Sequence, residues 1–381
     1  MPRKTADDLF AASRIAALRR AVRRWFRKHR RDLPWRHNTD AYRVWLSEIM
    51  LQQTQVATVV PYFERFIARF STVQALADAD EADVLRLWEG LGYYRRARQL
   101  HAAAQVVCRN HAGKFPRTME ELLHLPGIGR YTAGAIASIA YDLPAPIVEA
   151  NTQRLYARLL AYPGELHTKQ AQQLLWQFAA ALVPARGAGE INQALMELGS
   201  LICTPREPNC DACPLLTHCP TARRGLQAKI PAAKRPKQFE EQRHAAVVVR
   251  HRGKVLLRQC GPNERWAGLW DFPRFVIEPA AANGNFSHAL IEGVKQQAAI
   301  EIVPGNHLAT FKHGVTRFRI TLECYAATVS PTAVSPTRQR GTAPPNNGNT
   351  LSLKWLKPSE LDAIPLSTTG RKLAKLIVSG G

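Results

Sequence analysis

Leu125-Pro126-Gly127-Ile128-Gly129-Arg130 interrupts two stretches of helical periodicity. The stretch before it opens on Thr118 with Glu121 three residues on, the spacing at which a threonine and a glutamate close a capping box. The stretch after it places Tyr131, Ala135, Ile136 and Ile139 at the three-to-four spacing of a helix. Gly127 and Gly129 free the turn of Cβ atoms, so its backbone can approach another surface closely. The helix start at Arg130 then offers unpaired N–H groups to an anion such as phosphate. Two readings fit these six residues alone: an ordinary helix–turn–helix corner, or a helix–hairpin–helix clamp that grips phosphates without reading sequence.

Helical texture extends outward from that turn over residues 12–222, with breaks at 34, 90–92, 126–129 and 144–146. Ile15, Leu18, Val22, Trp25 and Phe26 form an apolar stripe in the Arg-rich segment 14–31. This segment is therefore read as the first helix of the fold and not as a transit peptide, with Arg20, Arg23, Arg24 and Arg27 on its wet face. Near the end of the helical stretch stand Cys203, Cys210, Cys213 and Cys219, with gaps of six, two and five residues. Prolines at 205, 208, 214 and 220 make the segment a loop. Thiolates gathered this tightly usually hold a metal or an iron–sulfur cluster. A structural zinc site more often takes two well-separated pairs, and only Cys210 and Cys213 form one. One [4Fe-4S] cluster is the expectation, over zinc or four unrelated thiols.

The chain has 381 residues, too many for one ordinary domain, and 46% hydrophobic residues, which argues for folded cores. Its formal net charge of +22 calls for a polyanionic partner, nucleic acid first, unless it is only a solvated basic surface. No apolar run approaches a membrane span. Cys108, Cys260 and Cys324 lie scattered and suggest no disulfide framework, so a reducing compartment is expected. Residues 223–241 read as an exposed linker. Beyond it, from 242 to 378, the texture changes to α+β. Runs at 245–249 and 254–258 flank a His-Arg-Gly turn and predict a hairpin; further strand-like runs lie at 308–312 and 317–328, with a helix at 287–301. Residues 330–350 are polar and predict a disordered insertion.

Two carboxylates stand out. Glu48 shares a helical stripe with Val44, Trp45, Leu51 and Gln52, so burial should favour its protonated form, as a general acid requires; a surface pairing with Arg43 is the alternative. Glu149 follows an extended segment, 144–148, and precedes a helix that Asn151 could cap. The positive end of that helix should hold Glu149 ionised, either for electrostatic catalysis or as a plain capping group.

Helix–hairpin–helix followed by a four-cysteine loop resembles the endonuclease III superfamily of DNA base-excision glycosylases. Leu46-Ser47-Glu48-Ile49-Met50-Leu51-Gln52-Gln53-Thr54-Gln55 and Gly90-Leu91-Gly92-Tyr93-Tyr94 are similar to the MutY branch, the adenine-removing one. The resemblance covers nearly the whole chain. It implies a mainly α helix–hairpin–helix glycosylase domain with an iron–sulfur loop at 12–222, then an α+β Nudix-like domain. The implied activity is monofunctional: hydrolytic removal of adenine mispaired with 8-oxoguanine or guanine, by a monomer acting on double-stranded DNA in a bacterial cytoplasm. The resemblance gives Glu48 the protonation of adenine N7 and Glu149 the stabilisation of the cationic sugar. The family pattern at 149–151 is Asp-Gly-Asn, whereas this chain has Glu149-Ala150-Asn151. Tyr131 stands where bifunctional relatives carry a nucleophilic lysine, and a phenol forms no Schiff base. Leu33, Trp35, Arg36 and Gln193 match the adenine pocket, and Gln53 and Tyr93 the residues that fill the gap left by a flipped base. Gly127, Gly129 and Arg130 fall to the DNA clamp.

The second domain's clearest mark is Gly268-Leu269-Trp270-Asp271-Phe272-Pro273. Only Glu292 and Glu301 appear where a Nudix hydrolase needs a Glu-rich metal box, so pyrophosphate hydrolysis is not expected. The resemblance instead implies lesion recognition by a Phe-Ser-His turn, here Val315-Thr316-Arg317, in which Thr316 keeps the hydroxyl. Two rival functions remain: a non-catalytic mismatch-binding protein and a glycosylase of different base specificity.

Overall fold

The computed structural model describes residues 9–233, 238–277, 286–331 and 352–379. The expected insertion at 330–350 lies, apart from its first two residues, outside them. The chain divides into two compact units, one of residues 1–79 and 99–235, the other of residues 80–98 and 236–381. In chain order the helices are α1 (Ala12–His29), α2 (Ala41–Leu51), α3 (Val56–Arg69), α4 (Val73–Ala77), α5 (Glu81–Trp88), α6 (Arg95–His111), α7 (Met119–His124), α8 (Arg130–Ala135), α9 (Ala150–Leu160), α10 (Lys169–Leu182), α11 (Ala188–Leu201) and α12 (Pro220–Arg223). A mainly helical part followed by an α+β part is the order the sequence predicts.

The first unit is built on apolar stripes. Ile15, Leu18, Val22, Trp25 and Phe26 of α1 bury against Leu155, Tyr156 and Leu159 of α9, Phe178 of α10 and Leu195 and Leu198 of α11. Arg23 and Arg27, expected on the wet face, both form ion pairs with Glu190 of α11. Arg19 closes the end of α10 by donating to the carbonyls of Ala181, Leu182 and Val183, which a helix C-terminus leaves unpaired. The predicted linker is anchored at its front: Ile230 is buried, and Arg158 donates to the carbonyls of Gln227 and Ile230.

The second unit carries strands β1 (Glu240–His251), β2 (Lys254–Gln259), β3 (Trp270–Asp271), β4 (Arg274–Val276), β5 (Ile302–Val315), β6 (Phe318–Val329) and β7 (Leu353–Leu356), with helices α13 (Phe286–Ala298) and α14 (Thr368–Ser379). The predicted hairpin is β1–β2, antiparallel and closed at Arg252 and Gly253. β1 also pairs in parallel with β6. Side chains alternate faces along a strand. Ala246 and Val248 accordingly pack with Leu373, Ala374 and Ile377 of α14, while Ala245, Val247 and Val249 pack with Leu290 and Val294 of α13. Both faces are covered, which is why the run 245–249 is apolar throughout.

Candidate active site

Five backbone segments of the first unit converge on a cavity of about 770 Å³. Leu33, Trp35 and Arg36 come from the 3-10 turn after α1, Glu48 from α2, Tyr131 from the first turn of α8 and Gln193 from α11. Glu149 and Asn151 come from the start of α9, and Gln53 from the turn after α2. Residues spread over more than 150 positions of sequence thus line one space.

Glu48 is 4% exposed, one turn before the end of α2. Burial raises its carboxyl to about 7, helped by the charge of Glu149 and opposed by the hydrogen bond from Tyr131 and the charge of Arg36. Its partner is therefore the Tyr131 hydroxyl, which donates to Glu48 Oε2, and not Arg43. Burial and the two neighbouring carboxylates push the Tyr131 phenol well above its ordinary value, so it stays a proton donor.

Glu149 meets one expectation and departs from another. It is itself the N-cap of α9: Oε2 accepts from Asn151 N–H and Oε1 from Thr152 N–H, each at 2.8 Å. Thr152 Oγ1 returns the bond by accepting from Glu149 N–H at 2.8 Å. Asn151 is the second helical residue and caps nothing; its Oδ1 accepts from Arg154 Nη2 at 2.9 Å. The Glu149 carboxylate takes these N–H groups because they point outward along the helix axis toward the N-cap position, which Glu149 and not Asn151 occupies. Burial, moreover, raises the Glu149 carboxyl above its ordinary value, outweighing those two bonds and the charge of Arg154. The helix end was expected to win; desolvation does. Ala150 is the first residue of α9, in ordinary helical backbone, so the replacement of glycine there leaves no strain.

Sequence reasoning missed Glu197. It is 1% exposed and accepts from Arg31 N–H, Nε and Nη2 at 2.9, 3.0 and 3.1 Å and from Arg36 Nη2 at 2.6 Å. Burial acts to raise its carboxyl, but the bonds from Arg31 and Arg36 outweigh it and the net shift is downward. It stays an anion that fixes two guanidiniums along the cavity wall. Its spacing of four from Gln193 on one helix was the available signal. Trp35 is buried and meets Phe63 edge-on, with centroids 5.4 Å apart.

The hairpin 125–130 is a tight turn. Ile128 N–H donates to Leu125 O at 3.1 Å, and Gly127 has φ +73°. A Cβ at 127 would lie 2.7 Å from Gln99 Cβ, so glycine is required twice over. Gly129 is the N-cap of α8. The Arg130 guanidinium stacks 3.7 Å from the centre of the Trp176 ring.

Gln53, Tyr93 and Thr316 all hold positive φ, at 59°, 50° and 54°. Such backbone is costly for a residue with a side chain and clusters at functional positions. Tyr93 is 53% exposed. In the second unit, Thr316 sits at the tip of the β5–β6 hairpin and donates to Val315 O at 2.7 Å, while Arg317 pairs with Glu240 at 3.1 Å.

Cys203, Cys210, Cys213 and Cys219 line one cavity, and all are free thiols. Arg158 Nη1 donates to Cys203 Sγ at 3.2 Å and Gln227 Nε2 to Cys210 Sγ at 3.5 Å. Among the described residues, no group of three or more His, Cys, Asp or Glu side chains could hold a metal ion, and no helix is long and apolar enough to cross a membrane.

Residues 46–181 match the family model of the HhH-GPD superfamily base excision DNA repair proteins, and residues 244–376 match a NUDIX domain. The adenine DNA glycosylase of Rattus norvegicus is 32% identical, over 95% of this chain and 78% of that one. That of Buchnera aphidicola subsp. Schizaphis graminum is 38% identical over 65% of this chain and 71% of its own length. A solved thermostable thymine-DNA glycosylase covers 56% of this chain and 98% of its own, at 27% identity and a TM-score of 0.51. With a helix–hairpin–helix repair-protein match, a NUDIX match and relatives of this identity across nearly its whole length, the chain belongs to the adenine DNA glycosylases, enzymes of base excision repair that remove adenine from DNA.

Proposed function

We propose that the enzyme removes adenine mispaired with 8-oxoguanine or guanine from double-stranded DNA, by hydrolysis and without strand cleavage. One observation carries this reading: Glu48 is a buried carboxyl with a value raised to about 7, set in one cavity with Glu149, Tyr131 and the residues matched to an adenine pocket. At neutral pH such a group retains a proton to give. Adenine is a poor leaving anion, and protonation at N7 turns it into a neutral one. Glu149, as an anion, then stabilises positive charge developing on the sugar. Tyr131 holds Glu48 in place and offers no amine for a Schiff base. Leu33 and Trp35 provide apolar walls, while Arg36 and Gln193 offer polar groups to the edge of the base. Gln53 and Tyr93 fill the space an extruded adenine leaves. Gly127, Gly129 and Arg130 hold the backbone by its phosphates, and Thr316 meets the base opposite.

The four cysteines fit a [4Fe-4S] cluster. They surround a cavity instead of meeting at the point a single ion needs, and a cluster takes one thiolate per iron. The donors from Arg158 and Gln227 suit thiolate sulfur. When bound, the cluster would shape the loop that follows α11.

The test is single-turnover excision on a duplex with adenine opposite 8-oxoguanine. Glu48→Gln is expected to bind this duplex nearly as the parent does and to release no adenine, because the amide keeps the shape but has no proton to transfer. Excision at the parent rate would remove Glu48 from the mechanism, and nicking by the parent enzyme without added base would refute the monofunctional reading.

A further inference from the structure

Tyr93 belongs to a turn held by several bonds. Gly90 and Gly92 take φ of 100° and 70°. Trp88 Nε1 donates to Gly92 O at 3.1 Å, and Arg96 Nη2 donates to the carbonyls of Leu91 and Gly92 at 3.2 Å each. A long-range anchor enters at Glu89, the residue that ends α5. Arg371 of α14, 282 positions away, grips both its oxygens: Nε to Oε1 at 2.6 Å and Nη2 to Oε2 at 3.0 Å. The side chains are only 11% and 9% exposed. The other Arg371 hydrogens go to Leu361 O at 2.7 Å, Asp362 Oδ1 at 2.9 Å and Ile364 O at 2.6 Å. All five guanidinium donors are thus in use, and residues 80–98 fall in the same compact unit as α14.

A two-pronged guanidinium–carboxylate bond fixes orientation as well as position. A non-glycine residue at positive φ persists only where its surroundings over-determine it. We propose that Arg371 is a positioning residue for the turn 89–93: through Glu89 it holds the backbone shape that presents Tyr93 to the duplex. This rests on the reading of Tyr93 as the side chain that fills the vacated stack. Extrusion of adenine then depends on α14, a helix of the second unit.

The experiment uses the full-length enzyme and a duplex carrying fluorescent 2-aminopurine in place of the target adenine, with extrusion followed by stopped flow and affinity by titration. Arg371→Lys keeps the charge but loses the fork. It is expected to slow extrusion about tenfold while Kd stays within about twofold, a size in keeping with residues that share one network. In a Tyr93→Ala background the same change should have no further effect. Glu89→Gln, of nearly the same shape, should reproduce the pattern and serves if the lysine variant does not fold. Extrusion at the parent rate in both variants overturns the proposal, as does equal slowing with and without Tyr93, which would mark a general structural role. If Tyr93→Ala alone extrudes at the parent rate, the wedge reading falls and the proposal with it; if only the Arg371 and Glu89 variants behave as the parent, the wedge reading stands.

Discussion

At the residue scale, the site sets two carboxyls against each other. In the proposed reaction Glu48 holds its proton and Glu149 gives its up, yet burial raises both. The excision rate should therefore fall as pH rises through about 7, where Glu48 deprotonates, and fall again on the acid side, where Glu149 becomes neutral. A single-turnover pH profile checks this bell, and Glu149→Gln should abolish excision at every pH. Stability follows the same linkage. The folded state keeps a proton on Glu48 between about 4.5 and about 7 that the unfolded chain has lost. Its contribution is fully present below the lower value and is lost as pH rises through the upper one. Glu48→Gln should accordingly be more stable than the parent at about pH 8, by on the order of 2 kcal/mol, and similar at about pH 5. Urea unfolding at the two pH values reads the difference; a variant that keeps the parent's pH dependence would place the effect elsewhere.

At the element scale, α9 does two jobs with one helix. Its start is capped by Glu149 at the cavity, and its arginines reach the cysteine loop. Arg154 donates to Cys203 O at 2.6 Å and to Asn151 Oδ1, and Arg158 donates to Cys203 Sγ and Thr204 O. Loosening the loop should thus reach the Glu149 end of α9. Purified enzyme is expected to be brown, with roughly four irons and four sulfides per chain; colourless protein with one zinc would end the cluster reading. Arg158→Met should lower the iron content and the thermal midpoint together, because it removes a donor to thiolate and leaves several loop carbonyls unpaired. The hairpin invites a second test. Gly127→Ala meets both a positive φ and the Gln99 side chain, so it should destabilise by roughly 1–2 kcal/mol. It should also weaken duplex binding while leaving the rate at saturating enzyme near the parent value.

On the scale of the whole molecule, a charge of +22 should make binding strongly salt-dependent, with affinity for plain duplex falling about a thousandfold between roughly 50 and 200 mM salt. A flat salt response would mean that the cations serve the fold, as Arg14, Arg19, Arg154 and Arg158 do. Much of the plan was readable beforehand, because local rules wrote it. The apolar stripe of α1, the Thr118 cap, the turn with Gly127 and the β1–β2 hairpin each depend on residues a few positions apart, and periodicity and turn chemistry report such features directly. Glu48 was legible as a buried acid for the same reason, since its helical stripe foretold its surroundings. Sequence could not say what meets across long separations. The parallel pairing of β1 with β6, Glu197 holding Arg31 and Arg36, and Arg371 holding Glu89 join segments that no local pattern links. Nor could it weigh two opposing fields at one atom. The helix start favours an ionised Glu149 and burial disfavours it, and the balance depends on how much protein closes over the carboxyl, a quantity that exists only once the chain has folded.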